Sequence, residues 1–127
     1  MLWGSAVCLA ACSQSAPPHP VLLPPVRLDA STKAIHLVHA RLEDEGEIGD
    51  VVVHIVATNT SSLRATYFVV RCVERDRTGL IVSAGITNEN DLQAGESEEL
   101  RGLYLDKDPA SVGIECNVTD VDLDAAQ

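Results

Sequence analysis

Four cysteines raise the first chemical question. Cys8 and Cys12 lie close together in the apolar stretch Val7-Cys8-Leu9-Ala10-Ala11-Cys12-Ser13, while Cys72 and Cys116 lie in the body of the chain. Thiols at short spacing suit a redox pair or a metal site, whereas distant thiols in an oxidising compartment suit a structural bridge. By the two-residue period of a strand, Phe68, Val70 and Cys72 share one face, and so do Val112, Ile114 and Cys116. Both thiols should therefore point inward. One disulfide is the expected outcome, closing a loop of about 45 residues and stabilising by ~4 kcal/mol in the chain-entropy model. The alternative is two separate buried thiols acting as small apolar side chains. Neither has cationic neighbours that would favour a reactive thiolate.

Other potentially reactive groups are scattered. His19 stands in a proline-rich segment. His36 and His39 have an odd separation, so a regular strand would put them on opposite faces, unable to share a metal. His36 and His54 on neighbouring strands form the remaining pair, without an obvious third ligand. Met1 is the only methionine, which excludes thioether copper carriage. Acidic clusters occur at Glu43-Asp44-Glu45-Gly46-Glu47 and at Asp120-Val121-Asp122-Leu123-Asp124. On a strand, the three aspartates of the second cluster would share a face and repel, which calcium would relieve, although the EF-hand pattern is missing. Asn59-Thr60-Ser61 and Asn117-Val118-Thr119 have the sequon pattern. No G-x-S-x-G, P-loop or H-E-x-x-H motif is present, and no histidine has an evident Ser or Cys nucleophile beside it. No catalytic residue, resident metal or cofactor is expected, and the chain reads as a non-enzyme.

The elements that must position these groups are strands. The 127 residues suffice for one domain, and 46% are hydrophobic but only 3% aromatic, so the core must be aliphatic. The runs "DVVVHIVATN" and "ATYFVVRCV" are β-branched and favour pleated strands. Six strands are expected, at 35–41, 51–59, 65–74, 80–87, 98–105 and 111–121. The regular spacing with polar turns predicts an antiparallel β-sandwich of the immunoglobulin-like class, with about six or seven strands. Residues 13–33 hold all but one of the six prolines. They read as a semi-extended tether reaching on the order of 60 Å at about 3.1 Å per residue, with Val21, Leu22 and Leu23 available to dock as an edge strand. The net charge of -10 argues against nucleic acid and anionic bilayer surfaces and suits a cationic partner.

Two resemblances carry this further. Leu9-Ala10-Ala11-Cys12, closing a short apolar N-terminal run, resembles the lipobox of bacterial lipoproteins. The run departs from that family in lacking an initial Lys or Arg. The resemblance implies lipidation at Cys12, loss of Cys8 with the signal, and, through Ser13, sorting to the outer membrane facing the periplasm. Asn59-Thr60-Ser61, Asp76-Arg77-Thr78-Gly79 and Leu92-Gln93-Ala94-Gly95-Glu96 together resemble the turns of the FxLYD type of immunoglobulin-like module, over about residues 48–120. Cys72, Glu74 and Arg75 stand where that family has Phe, Leu and Tyr.

The expected organisation is a signal segment at 1–11, a lipid anchor and Pro-rich linker at 12–33, a β-sandwich at 34–122 and a tail at 123–127. The expected function is a lipid-anchored periplasmic accessory or binding module that contacts another envelope protein. Recognition should use loops 43–49, 88–95 and 106–110, or the edge strands. The alternatives are an acidic inhibitor of a cationic envelope hydrolase such as lysozyme, and a calcium- or metal-binding lipoprotein.

Overall fold

A computed structural model describes residues 23–29, 34–45 and 49–124. They form eight strands: β1 (Val26–Leu28), β2 (Ile35–Asp44), β3 (Asp50–Asn59), β4 (Ala65–Arg75), β5 (Ile81–Glu89), β6 (Ser97–Leu100), β7 (Tyr104–Asp106) and β8 (Gly113–Leu123). One sheet has the order β1-β8-β4-β5, and in the other β3 lies between β2 on one side and β6 and β7 on the other. The two sheets make a sandwich-like, all-β fold consistent with the immunoglobulin-like class.

Two strands go beyond the expected six. The stretch expected as one strand at 98–105 is broken at Gly102, whose φ is 83°. Both pieces, β6 and β7, still pair with β3. The other addition is β1, drawn from the stretch read as linker. It runs parallel to β8, pairing Val26 with Ile114 and Leu28 with Cys116. The docking expected of Val21, Leu22 and Leu23 lies partly outside the described residues, and Leu23 precedes the strand that docks.

Two bulges correct the simple two-residue period. On β2, Val38 is the extra residue, so His36 pairs with Thr58 and His39 with Val56. Thr58 and Val56 lie two apart on β3, and the two histidines therefore share the outer face instead of opposing faces. On β8, the register passes from Val118 opposite Val70 to Asp120 opposite Val69. Thr119 is extra there, and Val118 and Val121 both face inward despite their odd spacing.

The core is aliphatic, as the composition requires. Ile35, Leu37, Val53, Ile55 and Ala57 of one sheet meet Phe68, Val70, Ile114 and Val118 of the other, with Leu92, Leu100, Leu103 and Leu105 filling the space between. Phe68, the chain's one phenylalanine, is fully buried. Val112 is 51% exposed and lies before β8, so it does not join Ile114 and Cys116 inside.

Asn59 ties the end of β3 to two loops. Fully buried, it donates through Nδ2 to the carbonyls of Leu63 (2.8 Å) and Leu92 (2.9 Å). Its Oδ1 accepts from the Ser61 amide and hydroxyl. Its backbone bonds to Glu96 O and Gly95 N on the far loop. The turn motifs at 59–61 and 92–96, separate in sequence, are thus one hydrogen-bonded corner.

On one side of the sandwich β5 and β7 approach closely. Asp106 N donates to Ser83 Oγ at 3.0 Å, and Thr87 Oγ1 donates to Arg101 O at 2.7 Å. A Cβ at Gly85 would collide with the Tyr104 carbonyl, with Leu103 and Leu105 Cδ2 atoms 3.3 Å away. Because the obstacle is backbone, relief requires the sheets to part. Gly85→Ala is therefore expected to destabilise by on the order of 1–3 kcal/mol, the usual cost of overpacking. Urea unfolding of the variant measures it, and an unchanged midpoint would contradict this account of the edge.

Candidate binding groove

Cys72 and Cys116 are opposite each other on β4 and β8 and form a disulfide, with Cα atoms 4.0 Å apart and a sequence separation of 44. Both are fully buried. The bridge therefore joins neighbouring strands of one sheet. Sequence patterning anticipated the inward direction of both thiols and their pairing.

With Cys72 and Cys116 pointing in, Arg71, Val73 and Arg75 of β4 and Glu115 and Asn117 of β8 point out. Together with Arg27, Leu28 and Asp29 at β1 they line a groove of about 540 Å³ on the outer face of the sheet. Three of the chain's nine Lys/Arg residues converge there on a protein of net charge -10. Glu115 holds two of them: its Oε2 lies 2.8 Å from Arg27 Nη2 and its Oε1 3.5 Å from Arg75 Nε. Arg75 also donates to Gly79 O at 2.9 Å. Arg71 is exposed, and among the described residues no ion pair engages it. Sequence reading missed this groove, because its residues come from three strands and none of them forms a local motif.

The residues singled out in the sequence fall elsewhere. His36 lies opposite Thr58, four positions along β3 from His54, so those two histidines do not meet. His54 instead sits between carboxylates, with Nε2 2.7 Å from Glu43 Oε1 and Nδ1 3.4 Å from Glu99 Oε2. Arg41 joins the cluster 3.5 Å from Glu99. In the second acidic run, Asp120 and Asp122 lie on the outer face opposite Val69 and Tyr67. Asp124 lies beyond β8 and pairs with Arg64 at 3.0 Å, so the three aspartates do not form a row. Among the described residues no group of three or more His, Cys, Asp or Glu is placed to hold a metal ion. Asn59 of the first sequon is buried. Cys8, Cys12 and His19 lie outside the described residues.

The loops expected to carry recognition are internally tied. Lys107 Nζ pairs with Asp44 Oδ1 at 2.8 Å, which joins the described part of 43–49 to 106–110. In 88–95, Asp91 takes a positive φ of 67° and pairs with Arg64 at 2.8 Å. The turn at 76–79 closes on Asp76, whose Oδ1 accepts from Thr78 Oγ1, Thr78 N and Leu80 N. These bonds, led by the Thr78 hydroxyl, hold its carboxyl below the usual aspartate range.

Glu74 is the anomaly of the interior. It is 1% exposed, its Oε1 lacks a hydrogen-bond partner among the described residues, and so does the Ser111 hydroxyl oxygen. Burial pushes its carboxyl up from the ordinary value of 4.5, and the nearby Asp108 and Asp106 add to the rise. No family model matches this chain, and no curated protein or solved structure is significantly similar to it.

Two outcomes follow from this geometry. Reduction of the Cys72–Cys116 bridge should lower stability by up to ~4 kcal/mol, as loop-closure entropy returns to the unfolded chain. Denaturation with and without dithiothreitol measures the loss, and free thiols at Cys72 and Cys116 under non-reducing mass analysis would overturn the bridge. For Glu74, a folded-state pKa above the unfolded one means that the native state binds its proton more tightly. The penalty is then absent below the ordinary value and grows as pH rises through the folded value. Glu74→Gln should be more stable than the wild type at pH 7, with the advantage gone by about pH 4, below the ordinary value. An equal gap at both pH values, by urea unfolding, would show that ionisation is not its cause.

Proposed function

We propose that this chain is a lipid-anchored, non-catalytic binding module of the bacterial cell envelope, held at the outer membrane and facing the periplasm. The observation that carries the reading is the buried Cys72–Cys116 disulfide, a linkage that persists in oxidising compartments. It stands downstream of Leu9-Ala10-Ala11-Cys12, which supplies the matching address. Acyl chains on Cys12 hold the protein, the proline-rich segment spaces it, and the sandwich displays a rigid face to another envelope protein.

The FxLYD-like identity belongs to the same proposal. Its support is the corner built on Asn59, where two of the three turn motifs meet. The three positions that depart from that family have acquired separate tasks in this chain. Cys72 forms the bridge, Glu74 is the buried carboxyl, and Arg75 lines the groove. The groove is the face best suited to binding, because it gathers three arginines against two carboxylates, Asp29 and Glu115, on an acidic protein and rests on the two strands that the disulfide joins.

The test is Cys12→Ala in the full-length chain, expressed in a Gram-negative host and fractionated. The wild type should partition with outer membranes and into detergent, and the variant should appear in the soluble periplasmic fraction. A variant that stays membrane-bound like the wild type would refute the anchor.

A further inference from the structure

From the groove's geometry we infer that it takes a carboxylate-bearing peptide segment of a partner protein, with Glu115 as a built-in competitor for the same guanidinium groups. This deepens the reading of the chain as a binding module and rests on it. The fold already shows the recognition chemistry. One carboxylate, that of Glu115, lies 2.8 Å from Arg27 and 3.5 Å from Arg75 through its two oxygens. Each arginine gives one nitrogen to a separate oxygen, so a single carboxylate bridges two guanidinium groups. Arg71 stands in the same groove with no ion pair among the described residues and is the vacant position for a second carboxylate.

The remaining lining and the charge balance define the ligand further. Val73, 6% exposed, floors the groove and Asn117 supplies an amide, while Leu28 turns inward onto the core, so the contacts offered to an acidic peptide are chiefly polar. The volume of about 540 Å³ falls within the ~300–1,000 Å³ typical of ligand sites, and its position on a sheet face admits an extended chain. Polyanions are a poorer match. A net charge of -10 repels nucleic acid and anionic bilayers, whose many charges interact with the whole surface. A short peptide with a few carboxylates interacts mainly with the nearest charges, because screening at physiological salt acts over about 8 Å.

Glu115 sets the affinity. An incoming carboxylate can bind Arg71 directly, but it reaches Arg27 and Arg75 only by displacing Glu115. Removing that carboxylate should tighten binding, while removing the Arg71 guanidinium should weaken it. Neither substitution alters the buried face of the sheet.

The experiment titrates the isotope-labelled full-length chain with the acetylated, amidated pentapeptide Glu-Val-Glu-Val-Glu, followed by amide NMR shifts and calorimetry. Its Gln-for-Glu counterpart, inorganic phosphate and phosphatidylglycerol vesicles form the other arms. The acidic peptide should shift amides at Arg71, Val73, Glu115 and Asn117, and its affinity should fall with salt. Arg71→Gln should weaken it by on the order of tenfold, and Glu115→Gln should tighten it severalfold. The inference is overturned if those amides do not shift, if the Gln peptide binds equally well, or if phosphate or vesicles occupy the same residues more tightly. The readout in solution does not depend on Cys12, so failure of the anchor and failure of the groove are distinguishable.

Discussion

The alignment of Cys72 with Cys116 is the constraint on which the rest of this fold depends. It fixes the register of β4 against β8, the central pair of the sheet β1-β8-β4-β5. Strand faces alternate, so a one-residue slip would exchange every inward side chain for an outward one. The covalent link forbids that slip and sends Phe68 and Val70 into the core. The same alternation sends Arg71, Val73, Arg75 and Glu115 outward, side by side. Core and groove are thus two faces of one register, and chemistry on the outer face inherits the rigidity of the inner one.

Of the three polar residues buried among the described ones, Asn59 and Glu74 are opposite in character. Asn59 is buried with its amide nitrogen and oxygen both engaged, and it holds one end of the sandwich together. Glu74 is buried near the other end with an oxygen unengaged, close to Asp106 at the end of β7 and to Asp108 beyond it. Satisfied polar burial specifies structure, whereas unsatisfied burial costs stability and ties it to protonation. The first is ordinary architecture for a corner, and the second makes that end of the fold sensitive to acidity.

Local signals in the sequence disclosed much of the fold. The β-branched runs gave β3 and β4, the cysteine faces gave the bridge, and the polar turns gave the hairpins. Signals that require partners were hidden. The extra residues Val38 and Thr119 are ordinary strand formers, and only pairing with β3 and β4 reveals them as bulges. That is why His36 and His39 came out on the wrong faces. Gly102 interrupts a strand that its composition would have continued. The groove unites residues 27, 71, 75 and 115, and no spacing rule brings β1 beside β8, since a three-residue parallel strand after a proline pair has almost no periodicity to read. The lipobox at Cys12 was wholly a matter of sequence and lies outside the described residues.

The short strand β1 also determines how the protein would bear mechanical load. A pull applied at Pro25 is borne by Val26–Leu28, which is bound to β8 by bonds such as Ile114 N to Pro25 O and Asp29 N to Cys116 O. These few bonds are the weakest attachment in that sheet, whereas β8 beyond them is crosslinked to β4. Tension would peel β1 before it disturbed the bridged pair. Peeling would carry away Arg27, one of the two partners of Glu115, and remove one wall of the groove. Tension applied at this point would couple stretching to the shape of the outer face, while the disulfide holds β4 and β8 together.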